Sequence, residues 1–142
     1  MKDIEKAKEL LFKNDYTCVL CKGDTVYTSH SKGIAPILEL LESQTDISGF
    51  CVADKIVGKA AAMLYSLGKV KQIFACVLIE SAAEYLTLKK IPFSCITLTQ
   101  KIINRQGTDI CPMEKCVKNI SCEKEALSAL ILKRDELRRQ TK

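Results

Sequence analysis

The chain has 142 residues, 47% of them hydrophobic, with a formal net charge of +5; at this length one domain buries roughly 70% of its unfolded surface, so residues 1–142 are expected to form a single unit. The start, Met1-Lys2-Asp3-Ile4-Glu5-Lys6, is charged, and no apolar run approaches the about 20 residues of a membrane helix, so a soluble cytoplasmic protein without a membrane partner is expected. Eight cysteines without a secretory signal read as reduced thiols rather than a disulfide scaffold.

Residues 3 to 13 place Ile4, Ala7, Leu10 and Leu11 at helical spacing, and Asn14-Asp15 breaks the pattern before a strand-like run from Tyr16 to Lys22. Gly23-Asp24 then forms a two-residue turn into Thr25–Ser29, an antiparallel hairpin. Ser31-Lys32-Gly33 reads as a loop, and Pro36 suits the first turn of a helix through Leu38, Leu40 and Leu41.

From Gly49 the chain alternates between strand and helix: strand Gly49–Val52, helix Asp54–Leu67 ending at Gly68, strand Ile73–Ile79, helix Ser81–Lys90, strand Phe93–Leu98. Such alternation predicts parallel strands with helical crossovers. Ile73–Ile79 is apolar on both faces, as a central strand between two helical layers would be. Thr99–Ile110 reads as irregular or a short helix, Cys111-Pro112 opens another helix, and Ser121 can cap a last one running to about residue 139. The expected fold is therefore α/β, a three-layer α-β-α sandwich around a mixed five-stranded sheet with an N-terminal antiparallel hairpin followed by parallel strands.

Residues 115 to 142 carry eight Lys or Arg against four Asp or Glu, which is +4 of the net charge. All aromatic residues lie at or before Phe93, so this basic helix offers no ring on which a base could stack, and nucleic acid is not an expected partner.

The junction Asp54-Lys55-Ile56-Val57-Gly58-Lys59 carries the strongest functional signal. A helix starting there would offer unpaired N–H groups and a partial positive charge to an anion. Lys55 and Lys59 would lie one turn apart on one face, Asp54 would occupy the N-cap or first turn, and Ile56, Ala60, Met63, Leu64 and Leu67 would pack inward. Gly58 inside that helix would be unfavourable by about 1 kcal/mol relative to Ala, which points to a close approach by a ligand or another backbone. The alternative is an ordinary solvated stripe of Lys55, Lys59, Ala62 and Ser66.

In doubly wound sheets ligands bind beyond the carboxyl ends of the strands, and both Ser31-Lys32-Gly33 and Asp54–Lys59 fall at such ends. Asn104-Arg105-Gln106-Gly107-Thr108-Asp109 is dense in hydrogen-bonding groups, and its Arg105 can clamp a phosphate or carboxylate. This segment can close over the same crevice or serve only as a surface turn.

The element order, with Val52–Ala61, Ile103–Thr108 and Cys111-Pro112-Met113-Glu114, resembles a small uncharacterised bacterial domain-of-unknown-function family assigned to the cytidine-deaminase-like fold. Zinc deaminases carry a His or Cys ligand with a proton-shuttling Glu at one helix start and Pro-Cys-x-x-Cys at the next junction. At the corresponding positions this sequence has Ser31–Pro36 and Ala53–Gly58, with no His, Cys or Glu. His30 at a strand end, the buried-strand candidates Cys76 and Cys95, and Cys18 and Cys21 on opposite strand faces do not replace them. Cys111 and Cys116 are five residues apart on a helix, about 140° around its axis, and so poorly placed to share a metal. No metal and no cofactor are expected. Cys111 at a helix start is also a candidate nucleophile, though no base adjoins it.

The expected function is binding of a nucleotide or another phosphorylated small molecule. Lys55, Lys59 and Arg105 would neutralise the anion, Asp54 would accept hydrogen bonds from ribose or base, and Ser31, Lys32, Gly33, Gly58, Asn104 and Thr108 would complete the site. Two alternatives are a nucleotide-processing enzyme using Asp54 as base or nucleophile, and a homo-oligomeric interaction module.

Overall fold

The computed structural model describes residues 2–100 and 111–140. Among these, the helices are α1 (Asp3–Lys13), α2 (Ala35–Glu42), α3 (Lys59–Leu67), α4 (Glu80–Leu88), α5 (Pro112–Val117) and α6 (Glu123–Gln140). The strands are β1 (Cys18–Lys22), β2 (Thr25–Ser29), β3 (Cys51–Val57), β4 (Gln72–Ile79) and β5 (Phe93–Thr99). They form one sheet in the order β2-β1-β3-β4-β5. β1 is antiparallel to both β2 and β3, whereas β3, β4 and β5 run parallel. The mixed five-stranded sheet is as the sequence predicts.

The two-residue period of the strands sorts side chains between two unequal layers. Cys18 and Leu20 of β1, Val52 of β3 and Ile73 and Ala75 of β4 join the main core with Ile37, Leu38, Met63, Leu64, Leu86 and Leu130 from the helices. Val19, Cys21, Ala53 and Phe74 face the other way, against Ala7 and Leu11 of α1. Helices were expected on each side of the sheet. Among the described residues α1 is the one helix packed on the second face, toward which Ile96 of β5, 67% exposed, also points.

Three of the helices turn back toward the sheet through left-handed residues that are not glycine. Gln44, Lys69 and Lys90 have φ of 61°, 60° and 61°, and the next residue in each case, Thr45, Val70 and Ile91, donates its N–H to Leu40, Tyr65 and Leu86 carbonyls respectively. This satisfies orphan carbonyls at the helix ends and directs the chain into the next element. Gly68 has an ordinary φ of −74°. It is required by packing instead, since a Cβ there would lie 2.5 Å from Ile47 Cδ1.

The largest departure from expectation is at the junction singled out above. β3 continues through Asp54, Lys55, Ile56 and Val57, and α3 begins only at Lys59, with Gly58 as its N-cap in an extended conformation. Asp54 therefore does not cap a helix, Lys55 and Lys59 are not one turn apart, and Gly58 is not in a helix interior. Ile56 is not on a helical packing stripe and is 47% exposed, whereas Ala62 is fully buried. β-Branched Ile56 and Val57 extend the strand, and glycine is acceptable at an N-cap. At the C-terminal end, α6 starts at Glu123, and the carbonyl of Cys122 accepts from Ala126, so Ser121 is not the cap.

Candidate functional site

Because β3 runs on to Val57, its last residues project past β1 at the place where pairing changes from antiparallel to parallel. A cavity of about 300 Å³ lies there, bounded by Asp54, Lys55, Ile56 and Gly58 of the β3 end, by Lys32-Gly33-Ile34 of the β2–α2 loop, and by Cys111, Met113 and Glu114 at the start of α5. Thr17 and Ala61 complete the lining. Thr17 also holds the loop in place, donating through Oγ1 to the carbonyls of Ser31 at 2.6 Å and Ser29 at 3.0 Å.

Asp54 is the buried charged residue of the described chain, 6% exposed. Its Oδ2 accepts a hydrogen bond of 2.7 Å from Tyr65 Oη of α3. The sulfur of Cys18 lies 3.3 Å from the same phenol oxygen; with the phenol proton given to Asp54, the thiol is the donor in that contact. Burial raises the Asp54 carboxyl from 3.8 to about 7, against the opposing pull of hydrogen bonds from Tyr65 and from the backbone of Ile56 and Lys55. Burial also pushes Tyr65 and Cys18 well up, with the neighbouring Asp54 charge adding to it, so both stay neutral. The arrangement leaves a carboxyl group that exchanges its proton near neutrality, held in orientation by the neutral Tyr65 hydroxyl, which the Cys18 thiol backs in turn.

The helix start expected to hold an anion is filled by the protein's own carboxylate. Gly58 has no side chain with which to cap α3, and Glu114 of α5 does so from across the sequence. Its Oε1 accepts from the Lys59 amide at 2.8 Å and its Oε2 from the Ala60 amide at 2.9 Å. The Lys59 ammonium turns away to donate to the carbonyls of Val117 at 2.9 Å and Lys118 at 3.2 Å, at the end of α5. α5 and α3 thus clamp each other through complementary helix ends.

Of the residues expected at the site, Lys32, Gly33, Asp54, Lys55 and Gly58 border one cavity. Ser31 and Lys59 do not line it; Ser31 shapes the loop and Lys59 is engaged with α5. Asn104, Arg105 and Thr108 lie outside the described residues. His30 stacks against Tyr16, ring centroids 4.8 Å apart. Lys55 lies 3.7 Å from the carboxylate of Asp15, an exposed pair of little energetic weight that lets the ammonium swing.

Tyr65, Glu114 and Met113 belong to the site without having been assigned to it from sequence. Tyr65 occupies an inward position of an apolar helix, where an aromatic residue attracts no notice. Glu114 sits in the first turn of its own helix, where the local dipole already explains a carboxylate. A buried phenol needs a partner, and that requirement was the available signal for Tyr65.

Residues 6–134 match the family model TM1506, described as a domain of unknown function (DUF1893). A crystal structure of a DUF1893 family protein (TM1506) from Thermotoga maritima is similar over 94% of this chain and 91% of that one, with a TM-score of 0.85 and 26% sequence identity. The comparison with curated proteins gives no match.

Proposed function

The chain belongs to the DUF1893 family of domains of unknown function, and we propose that it binds a nucleotide or a similar phosphorylated small molecule in the cavity at the end of β3. The observation that carries this reading is a buried Asp54 carboxyl at a cavity with apolar walls of Ile34, Ile56, Ala61 and Met113 and with Lys32 and Lys55 at its border. Apolar walls with a few converging polar groups are the usual make-up of small-ligand sites. A flat base would lie between the apolar walls with an N–H edge on Asp54, and the phosphate would meet Lys32 and Lys55. The α3 N-terminus takes no part, because Glu114 already occupies it.

The same reading places the chain in the cytidine-deaminase-like fold, supported by its hairpin followed by parallel strands. The zinc site of that fold does not fit the residues here. Glu114 is engaged by two amides and Asp54 by Tyr65, and among the described residues no group of three or more His, Cys, Asp or Glu is arranged to hold a metal ion.

Asp54 favours a second reading, a nucleotide-processing enzyme with this carboxyl as general base, since a group titrating near 7 can accept and return a proton at working pH. Thermal unfolding across a panel of nucleosides and nucleotides tests both. A ligand at 100 times its dissociation constant should add about 2.7 kcal/mol, and Lys55→Ala should reduce the response to phosphorylated members only. An unchanged melting temperature across the panel would refute the binding reading. Turnover that is lost in Asp54→Asn while binding persists would select the enzyme.

A further inference from the structure

A second hollow of about 600 Å³ lies on the far side of Lys32-Gly33-Ile34, between Leu38 of α2 and Leu137 of α6, with Arg134 and Arg138 at its border. Lys32, Gly33, Ile34 and Met113 border both hollows. One loop and one side chain therefore separate them, not packed core. The loop is thin at that point, for Gly33 has a left-handed φ of +62° and open space where a Cβ would stand.

We propose that the two hollows are one cleft that takes a dinucleotide, two planar bases joined through phosphate. The first base meets Asp54, the linking phosphate passes Lys32 at the loop, and the second base lies in the larger hollow against Leu38, Met113 and Leu137. Both chambers have apolar walls, and Lys32 stands at the junction between them. A polyphosphate tail would put its charges over the apolar floor of the larger chamber. A plain hydrocarbon chain would give Lys32 nothing to pair with midway. Arg134 is held by Glu42 in a bidentate pair of 2.6 and 2.7 Å, and Arg138 acts on the same carboxylate, so the three together leave one net positive charge beside the larger hollow; Lys32 supplies the attraction at the junction.

This inference rests on the Asp54 cavity being a base site, and calorimetry separates the two. The probes are the four nucleoside 5′-monophosphates and the corresponding 5′-phosphorylated homodinucleotides, which differ only by the second nucleotide. The dinucleotide of the preferred base should bind tighter by about tenfold or more. Ala35→Trp, which obstructs only the larger hollow, should return the dinucleotide to the mononucleotide's affinity and leave the latter unchanged. Arg138→Gln, at an exposed position of α6, should weaken the dinucleotide by about threefold or more with the mononucleotide unaffected. Equal affinities in the unmodified protein, or a dinucleotide advantage that survives both substitutions, would overturn the second chamber and leave the first standing. Absence of binding by every probe would overturn both.

Discussion

Replacing Asp54 with Asn should make the protein more stable above neutrality, and by an amount that depends on pH in a defined way. The carboxyl titrates at about 7 in the folded protein, against an ordinary value of 3.8, because its charged form is buried. Between those two values the folded chain holds a proton that the unfolded chain has released, so stability falls as pH rises through this window and the loss is complete above 7. Integrating the linkage relation between pH 5 and pH 8 gives a loss of about 2 to 3 kcal/mol from this group alone. Asn keeps the shape and can accept from Tyr65, but has no proton to lose. Urea unfolding of both proteins at several pH values isolates the effect, because every other titrating group is common to the pair. The expected result is a stability difference, Asp54→Asn variant minus parent, that grows by about 2 to 3 kcal/mol from pH 5 to pH 8. A difference that stays flat across this range would refute the assignment of a buried carboxyl titrating near neutrality, and with it the support for acid–base chemistry. A residue whose removal stabilises the fold is retained for something other than stability, which ties this measurement to function.

Three further outcomes follow from contacts around the site and the core. Glu114→Ala removes the side-chain cap on the first α3 amides and should lower stability by about 1 to 2 kcal/mol in urea unfolding, with Glu114→Gln intermediate; an unchanged midpoint would show that the clamp between α3 and α5 carries no weight. Glu123 accepts from Tyr85 and pairs with Lys89 at 3.0 Å, which hold its carboxyl down at about 2. Its contribution is present above the usual 4.5 and disappears as pH falls through about 2, so Glu123→Gln should destabilise at pH 7 by about 1 to 3 kcal/mol and by roughly half as much at pH 3; equal destabilisation at both would contradict this. Gly68→Ala should lose about 1 to 3 kcal/mol through collision with the buried Ile47 side chain, and a melting temperature within error of the parent would show that Ile47 has room to move.

The positions of the elements were largely legible because period and punctuation are local properties. Pro36 fell in the first turn of α2, Gly23-Asp24 gave the hairpin turn, and the apolar run from Ile73 to Ile79 became β4. The boundary between β3 and α3 was misplaced for a physical reason. A strand residue that carries a charge looks like a loop or a helix cap unless its partner is known, and the partner of Asp54, Tyr65, lies eleven residues on. Once that carboxyl is allowed inside, Ile56-Val57 reads as strand and Gly58 as the helix start.

That these segments come together was also visible, since the ends of strands and the loops that follow them can be read from alternation alone. Lys32, Gly33, Asp54, Lys55 and Gly58 do meet at one cavity. Their roles were not visible. Sequence shows a lysine near a helix start but not that Lys59 is drawn off to the end of α5, nor that Glu114, 55 residues away, fills the place meant for an anion.

The sequence by itself determined an α/β chain with a hairpin, three parallel strands and a charged strand-to-helix junction, because hydrophobic period, turn residues and chain direction are encoded within a few neighbouring positions. Only the tertiary structure decided which charges are buried and which are already paired. Burial and pairing depend on residues brought together from α3, α5 and β1, and these contacts convert Asp54 from a helix cap into a carboxyl that titrates near neutrality beside a cavity.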